Sequence, residues 1–208
     1  MKNNKKIEAL ESLLVKLYEE HKEKLLFHGW SHIEFVRAKA LEFAPELNAD
    51  LFLVESAALV HDLDYIDKEG KRKGENLRKK ILSNAGYGDE EKERIEEIVH
   101  NAHIGNQKEG MSNESKALAD GDNLFKVLPF TPIFFAHKYI EEQDTDIKEL
   151  MEKILDDQQE KIENGTFFYS NTARQKYLHW AETNIGIWIN MKECFDDPDI
   201  VKLISSIS

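Results

Sequence analysis

Apolar residues recur every three or four positions along almost the whole chain, and few residues interrupt this helical rhythm. Only 10 glycines and 4 prolines occur in 208 residues, which is roughly half the usual share, so turns are few and elements are long. No segment shows the alternation of apolar and polar residues that a half-buried strand would need. Since no repeat or long linker is visible either, the sequence predicts an all-α fold with a single domain over residues 1–208.

The same rhythm places the individual helices. Ser31 followed by Glu34 has the spacing of a capping box, and Asp50 is suited to cap the next helix. The basic, glycine-flanked stretch 68–74 predicts a loop. The predicted helices have approximate bounds of 7–27, 31–43, 51–64, 75–84, 89–103, 115–128, 133–141, 147–162 and 172–195.

Charge and hydropathy exclude several classes of function. With 28 basic and 40 acidic residues the formal net charge is -12, and such a field repels the phosphates of a nucleic-acid duplex or an anionic membrane. The mean hydropathy is -0.56, and no apolar run approaches the roughly 18 residues of a membrane helix. The single cysteine, Cys194, excludes an internal disulfide and a Cys-rich zinc site. No signal peptide is visible, and the sequence predicts a cytoplasmic protein.

A His-Asp pair stands at the end of a strongly apolar helical segment. His61 and Asp62 follow residues 56–60 (Ser-Ala-Ala-Leu-Val), where unpaired polar groups would be costly. A divalent cation would supply the missing partner. The alternative is a helix-capping histidine beside a solvated aspartate.

Further potential ligands lie on either side of this pair. His32 belongs to the first turn of the preceding helix, and Asp120 and Asp122 lie on a later apolar helix. Two imidazoles and two carboxylates suit Mn, Fe, Co, Ni or Zn better than Mg, and they leave coordination positions open. Helical spacing does not choose between the two aspartates, because they are about 200° apart on faces that are both apolar.

With these residues in this order, the sequence resembles the HD-domain superfamily of metal-dependent phosphohydrolases, an all-helical family. The resemblance covers residues 27–128 as the core, and the helices of 129–208 would pack on it as in small stand-alone bacterial and archaeal members. It favours Asp122 over Asp120, because Asp122-Asn123-Leu124 matches the family pattern. The metal ligands that the resemblance implies are His32, His61, Asp62 and Asp122.

One departure from the family bears on the number of metals. Members with two metals carry extra histidines after the His-Asp pair, whereas residues 63–99 contain none. Lys73-Gly74 stands where a His-Gly would be expected. The sequence therefore predicts one divalent metal ion and argues against the di-iron oxygenases built on this fold.

The resemblance implies hydrolysis of a nucleotide or small phosphate ester by a metal-activated water. The enzyme would be a phosphatase, a nucleotidase or a nucleotide pyrophosphohydrolase. Asp64 is the predicted catalytic acid that orients the water, with Asp67 as the second choice. The alternative for Asp64 is a simple role at the end of a helix.

Several residues are suited to bind the substrate. The basic run that includes Lys68 and Lys73 could hold phosphates, although a solvated loop explains it as well. His100 and His103 could face the metal or the leaving group, or could cap their helix. Arg174 follows from the similarity of the C-terminal helices, and Tyr65 is suited to stack on a base or to fill the core.

Two other classes of function stay open at this point. The chain could be a non-catalytic sensor that keeps the metal site to bind a nucleotide, or a helical interaction protein in which the His-Asp pair is incidental. The sequence does not decide whether the protein forms a homodimer. It does not identify the substrate or the physiological metal.

Overall fold

The structure is a computed structural model that describes residues 2–66, 73–108 and 110–206. Within these ranges the chain forms helices and no strand, which confirms the predicted all-α fold. No helix in the same ranges is long and apolar enough to cross a membrane. The α-helices are α1 (Lys2–His21), α2 (Trp30–Phe43), α3 (Leu51–Val60), α4 (Lys73–Asn84), α5 (Asp89–Ala102), α6 (Asn113–Lys126), α7 (Thr131–Phe134), α8 (Ala136–Gln143), α9 (Ile147–Glu163), α10 (Asn171–Phe195) and α11 (Pro198–Ser205).

Most predicted helices are confirmed, but α1 ends earlier than its apolar pattern suggested. It stops at His21 instead of near Phe27. The backbone amides of Phe27 and His28 donate to the carboxylate of Glu142 on α8, at 2.7 and 3.0 Å. Since this buried tertiary contact takes up the amides that a longer helix would need, the chain leaves the helix before it reaches α2.

The predicted capping box at the start of α2 is wrong. The N-cap is Gly29, and Ser31 already lies in the first helical turn. A side chain on Gly29 would meet the carbonyl oxygen of Leu25 at 2.8 Å, so the close approach of the chain requires glycine here. The predicted cap on α3 is confirmed, because the side chain of Asp50 accepts from the amides of Phe52 and Leu53.

The C-terminal part differs from the prediction in two places. The predicted helix 133–141 is divided into α7 and α8 at Phe135, a turn residue whose ring packs against Phe27 and Phe125. Helix α11 was not predicted.

Two groups of buried apolar side chains hold the helices together. The first joins α1, α2, α3, α4, α5 and α6, and Gly121 lets α6 approach the backbone of α2 closely. The second joins α6 to α8, α9 and α10 through Phe125, Leu155 and Trp188. Helix α6 contributes to both groups. The division into a core of 27–128 and a C-terminal part of 129–208 stays a prediction.

Candidate metal centre

Three helices bring the four predicted ligand residues together. His32 is buried in the first turn of α2, His61 and Asp62 directly follow α3, and Asp122 lies on α6. His32 Nε2 is 3.2 Å from His61 Nε2 and 2.9 Å from Asp62 Oδ2. The distance from His61 Nε2 to Asp62 Oδ2 is 3.2 Å, and Asp122 Oδ1 is 3.8 Å from His32 Nε2. We call these four residues the donor cluster.

The spacing of the donor atoms fits a divalent cation. Ligand atoms about 2.1 Å from one ion and at right angles to each other are about 3 Å apart. Asp62 Oδ2 is shielded from solvent and has no hydrogen-bond partner among the described residues, although two ring nitrogens lie close to it. Lone pairs that converge without hydrogen bonding are what a cation site requires. His32, His61 and Asp122 could hold a metal ion.

Backbone contacts orient one of the two imidazoles. His61 Nδ1 is 2.8 Å from the carbonyl oxygen of Ala58. Since a carbonyl only accepts, Nδ1 carries a proton, and in the neutral ring Nε2 presents its lone pair to the donor cluster. For His32, Nδ1 is buried and has no hydrogen-bond partner among the described residues.

The electrostatics of the donor cluster favour a positive charge inside it. Burial opposes charging of His61, but Asp62 and, less strongly, Asp122 outweigh it and raise its pKa to about 8. Burial also raises the pKa of Asp62, but its contacts with His61 and His32 reverse the shift, and the pKa lies well below the usual value. The two carboxylates thus stay ionised and attract a proton or a cation to the place that they share.

Asp120 and Asp122 are two residues apart on α6, so their side chains point to different faces of the helix. Asp120 is completely buried and accepts from the amides of Tyr169 and Ser170, both at 2.7 Å. Burial raises the pKa of Asp120 to about 6 in spite of these amides. The side chain of Asp122 points instead toward the other three residues of the donor cluster. Asp120 therefore attaches the start of α10 to α6, and only Asp122 is near the other predicted ligands.

Asp64, the predicted catalytic acid, contacts a different group. Its side chain is 60% exposed, and Oδ1 is 2.8 Å from Nη1 of Arg78, which also binds Glu96. A side chain on Gly74 would collide with the Asp64 carboxylate, so this carboxylate lies directly against the start of α4. Its role in orienting water stays a prediction.

For three other predicted residues, the structure describes either nothing or only the backbone. Asp67 and Lys68 lie outside the described residues. Lys73 begins α4, but its side chain is not described.

The predicted substrate-binding residues of the later helices do not come together. His103 is exposed at the end of α5 and lines the cleft beside the donor cluster. His100 is exposed on α5, where its carbonyl oxygen accepts from the side chain of Asn106. Arg174 donates to the carbonyl oxygen of Phe168 and lines another cleft, together with Lys116. Of these three residues, only His103 lines the cleft next to the predicted ligands.

A partly open cleft lies near the donor cluster, although none of the four donor-cluster residues lines it. Lys126 connects the two, because its ammonium group is 2.6 Å from Asp122 Oδ2 and its side chain lines the cleft. Tyr65 lines the cleft and stacks on His28 with a ring separation of 3.5 Å. The other lining residues, mostly apolar or aromatic, are Phe27, His103, Ile104, Thr131, Ala136, Tyr139, Leu150, Lys153, Ile154, Asp157, Gln158 and Trp188.

Sequence reasoning missed most of this cleft. Lys126 is four residues after Asp122, which is the spacing of an ion pair on one helix face, so this residue could have been found. The residues of α8, α9 and α10 carry no local motif. They line the cleft only because those helices pack on α6.

Comparisons with known proteins agree with the helical fold. No model of a known protein family matches the chain. The uncharacterized protein YpgQ of Bacillus subtilis is 34% identical over 102 residues, which make up 47% of this chain and 50% of YpgQ. The sequence match thus spans about half the length of this curated relative.

Solved structures resemble the chain over a longer range. The crystal structure of B. subtilis YpgQ in complex with ADP covers 96% of this chain and 99% of its own, with a TM-score of 0.63 and 21% identity. A protein of Lactobacillus plantarum covers 90% of this chain and 95% of its own, with a TM-score of 0.63 and 14% identity. At these identities the likeness establishes a shared all-helical fold.

Proposed function

We propose that the chain is a metal-dependent phosphohydrolase that acts on nucleotides, of the HD-domain type that its sequence resembles. The observation that carries this proposal is the convergence of the donor cluster, together with Lys126, which contacts Asp122 and also lines a cleft with aromatic side chains. Hydrolysis of a phosphate ester needs both parts, a place for water next to a phosphoryl group and a place for the rest of the substrate.

The donor set supports hydrolytic chemistry. A divalent ion held by these residues would make water acidic enough to ionise near pH 7 and would polarise a phosphoryl oxygen. His61 is oriented for this task by its hydrogen bond to the carbonyl oxygen of Ala58, since its ring cannot turn without losing this contact. Asp122 shares its carboxylate between the donor cluster and Lys126.

Lys126 is the residue best placed to bind a phosphate next to the donor cluster. Its side chain is 23% exposed, so its charge is only partly screened by water. Lys153 also lines the cleft and is paired in the same way, with Asp157, but its side chain is 51% exposed and its partner is not a residue of the donor cluster. The substrate phosphates would thus bind at the Lys126 side, with His103 close by on the same cleft.

A nucleotide is the first substrate to consider. The structure of B. subtilis YpgQ, which shares this fold, was determined as a complex with ADP. In this chain the cleft combines aromatic and aliphatic side chains with a cation at the metal side, and a nucleotide offers a planar ring and phosphates to match them.

One observation favours the alternative of a non-catalytic, nucleotide-binding sensor. Asp64 is mostly exposed, and its carboxylate is engaged by Arg78. A chain without a group to orient the attacking water could bind a nucleotide and turn it over poorly. The alternative therefore predicts binding of ADP with no hydrolysis.

Phosphate release from ATP, ADP and p-nitrophenyl phosphate in the presence of Mn²⁺, Co²⁺ or Ni²⁺ tests the proposal. We expect turnover by the wild-type protein and only background rates for His61→Ala. His137→Ala, which changes an exposed histidine of α8, is the matched control and should behave as the wild type. Equal rates for His61→Ala would contradict the proposed site, and ADP binding without any hydrolysis would favour the sensor.

A further inference from the structure

One polar side chain in the cleft wall lacks a partner for its oxygen. Gln158 on α9 is 5% exposed, and its Oε1 is buried without a hydrogen-bond partner among the described residues. Other buried polar groups of this wall are paired, since Thr131 donates to the carbonyl oxygen of Phe125 and Trp188 donates to Asn184. An unpaired buried amide is unfavourable, so a group that supplies its partner gains affinity.

The surroundings of Gln158 indicate which kind of ligand group would pair with its amide. Leu150, Ile154 and Gln158 are spaced by four residues, so one face of α9 lines the cleft. Trp188 and Tyr139 lie on the same cleft. The amide is therefore set among flat and apolar surfaces, which suit a planar ring better than a sugar or a phosphate.

A glutamine amide presents a donor and an acceptor side by side in one plane. Nucleobases carry the complementary pair on their edges, and an amide can pair with such an edge through two hydrogen bonds. Because rotation of the amide by about 180° exchanges its donor and its acceptor, it can pair with base edges that present these groups in either order.

We propose that Gln158 binds the base edge of a nucleotide in this cleft and thereby selects nucleotides over phosphate compounds that lack a base. This inference rests on the proposed function for the site but not on hydrolysis itself. In this arrangement the base lies along α9, and the phosphates lie toward Lys126 and the donor cluster.

Binding of ADP and of inorganic tripolyphosphate, measured by calorimetry on the purified protein, tests the inference. Gln158→Met keeps the length of the side chain but removes both hydrogen-bonding groups. We expect the Kd for ADP to rise about tenfold or more, because a polar base edge loses its buried partner. The Kd for tripolyphosphate should not change.

Gln159→Met is the matched control. Gln159 is the next residue of α9, and its amide donates to Glu163 instead of lining the cleft. This variant should bind ADP as the wild type does. If Gln158→Met fails to fold, Gln158→Glu keeps the shape of the side chain, removes the donor, and should also weaken ADP binding selectively.

The outcomes separate this inference from the proposed function. A Gln158→Met protein that binds ADP normally, or one that loses ADP and tripolyphosphate equally, would overturn the role of Gln158. Failure of the wild type to bind ADP would overturn it as well. If the wild type hydrolyses nothing and Gln158→Met selectively loses ADP, then the hydrolase proposal fails while the role of Gln158 is supported.

Discussion

Asp120 and Asp122, two residues apart on α6, have different partners and therefore different expected effects when replaced. Asp122→Ala removes a carboxylate from the donor cluster, and we expect the bound metal to be lost. Asp120→Ala leaves the buried amides of Tyr169 and Ser170 without an acceptor, which costs about 2–4 kcal/mol of stability. Elemental analysis of both purified variants, together with urea unfolding, measures the two effects. Metal loss from Asp120→Ala with metal retained by Asp122→Ala would reverse the assignment.

Glu142 provides a stability contribution that depends on pH. Burial alone would raise its pKa, but contacts with His28 and with the amide of Phe27 lower the pKa below its usual value. The folded state therefore binds fewer protons at this carboxylate than the unfolded state, so the contribution is present above the unfolded pKa and is lost as pH falls through the folded one.

Glu142→Gln should thus be less stable than the wild type by about 1–3 kcal/mol at pH 7. The difference should shrink as the pH is lowered below about 4.5, because there the unfolded wild-type chain begins to bind a proton at this carboxylate that the folded state does not bind. Urea unfolding at several pH values measures this. Glu141→Gln, an exposed neighbour on α8, is the control and should change stability little at any pH. A pH-independent difference for Glu142→Gln would contradict the role of its charge.

At the scale of helices, the packing of α2 on α6 determines the geometry of the donor cluster. A side chain at Gly121 would lie 2.8 Å from the carbonyl oxygen of Val36 and 2.9 Å from the amide nitrogen of Ala40. Because both atoms belong to a helix backbone, relief requires the two helices to move apart. His32 is on one of these helices and Asp122 is on the other.

We therefore expect Gly121→Ala to cost about 1–3 kcal/mol of stability and to weaken metal binding. Gly186→Ala on α10 is the matched control, because nothing lies within 4 Å of the added methyl group. As a glycine replaced within a helix, it should stabilise the protein by about 0.5–1 kcal/mol. Equal unfolding midpoints for the two variants would show that the helices do not meet as closely as described.

The helices themselves could be predicted from the sequence, because apolar residues spaced every three or four positions mark the face of each helix that is buried. Their ends could not always be predicted, since distant partners decide them. The amides of Phe27 and His28 are held by Glu142, far along the chain. The donor-cluster residues could be singled out because their order along the chain, a His, then a His-Asp pair, then an Asp, resembles a known family pattern. The residues of α9 and α10 that line the cleft are brought there by helix packing, which leaves no local pattern in the sequence.

At the scale of the whole molecule, the donor cluster predicts a coupling between metal binding and stability. At a free metal concentration 100 times the Kd, binding stabilises the folded state by about 2.7 kcal/mol. For a chain of this size that corresponds to a rise in Tm of about 5–10 °C. Thermal unfolding with Mn²⁺ or Co²⁺, and then with a chelator, measures the shift.

The chain carries a net charge of -12, so cations also bind to its surface without a specific site. Asp62→Ala separates the two effects, because it removes one donor and leaves the rest of the surface unchanged. The metal-dependent shift in Tm should largely disappear in this variant. A shift equal to that of the wild type would mean that the stabilising ions bind elsewhere.

The donor cluster and the cleft wall come from different parts of the chain. The predicted ligands lie between residues 32 and 122, whereas five of the residues that line the cleft are on α9 and one, Trp188, is on α10. Under the proposed function, mutations in the later helices would change which molecule binds while the predicted metal ligands stay the same. Related chains could then differ in substrate and still keep one common set of metal ligands.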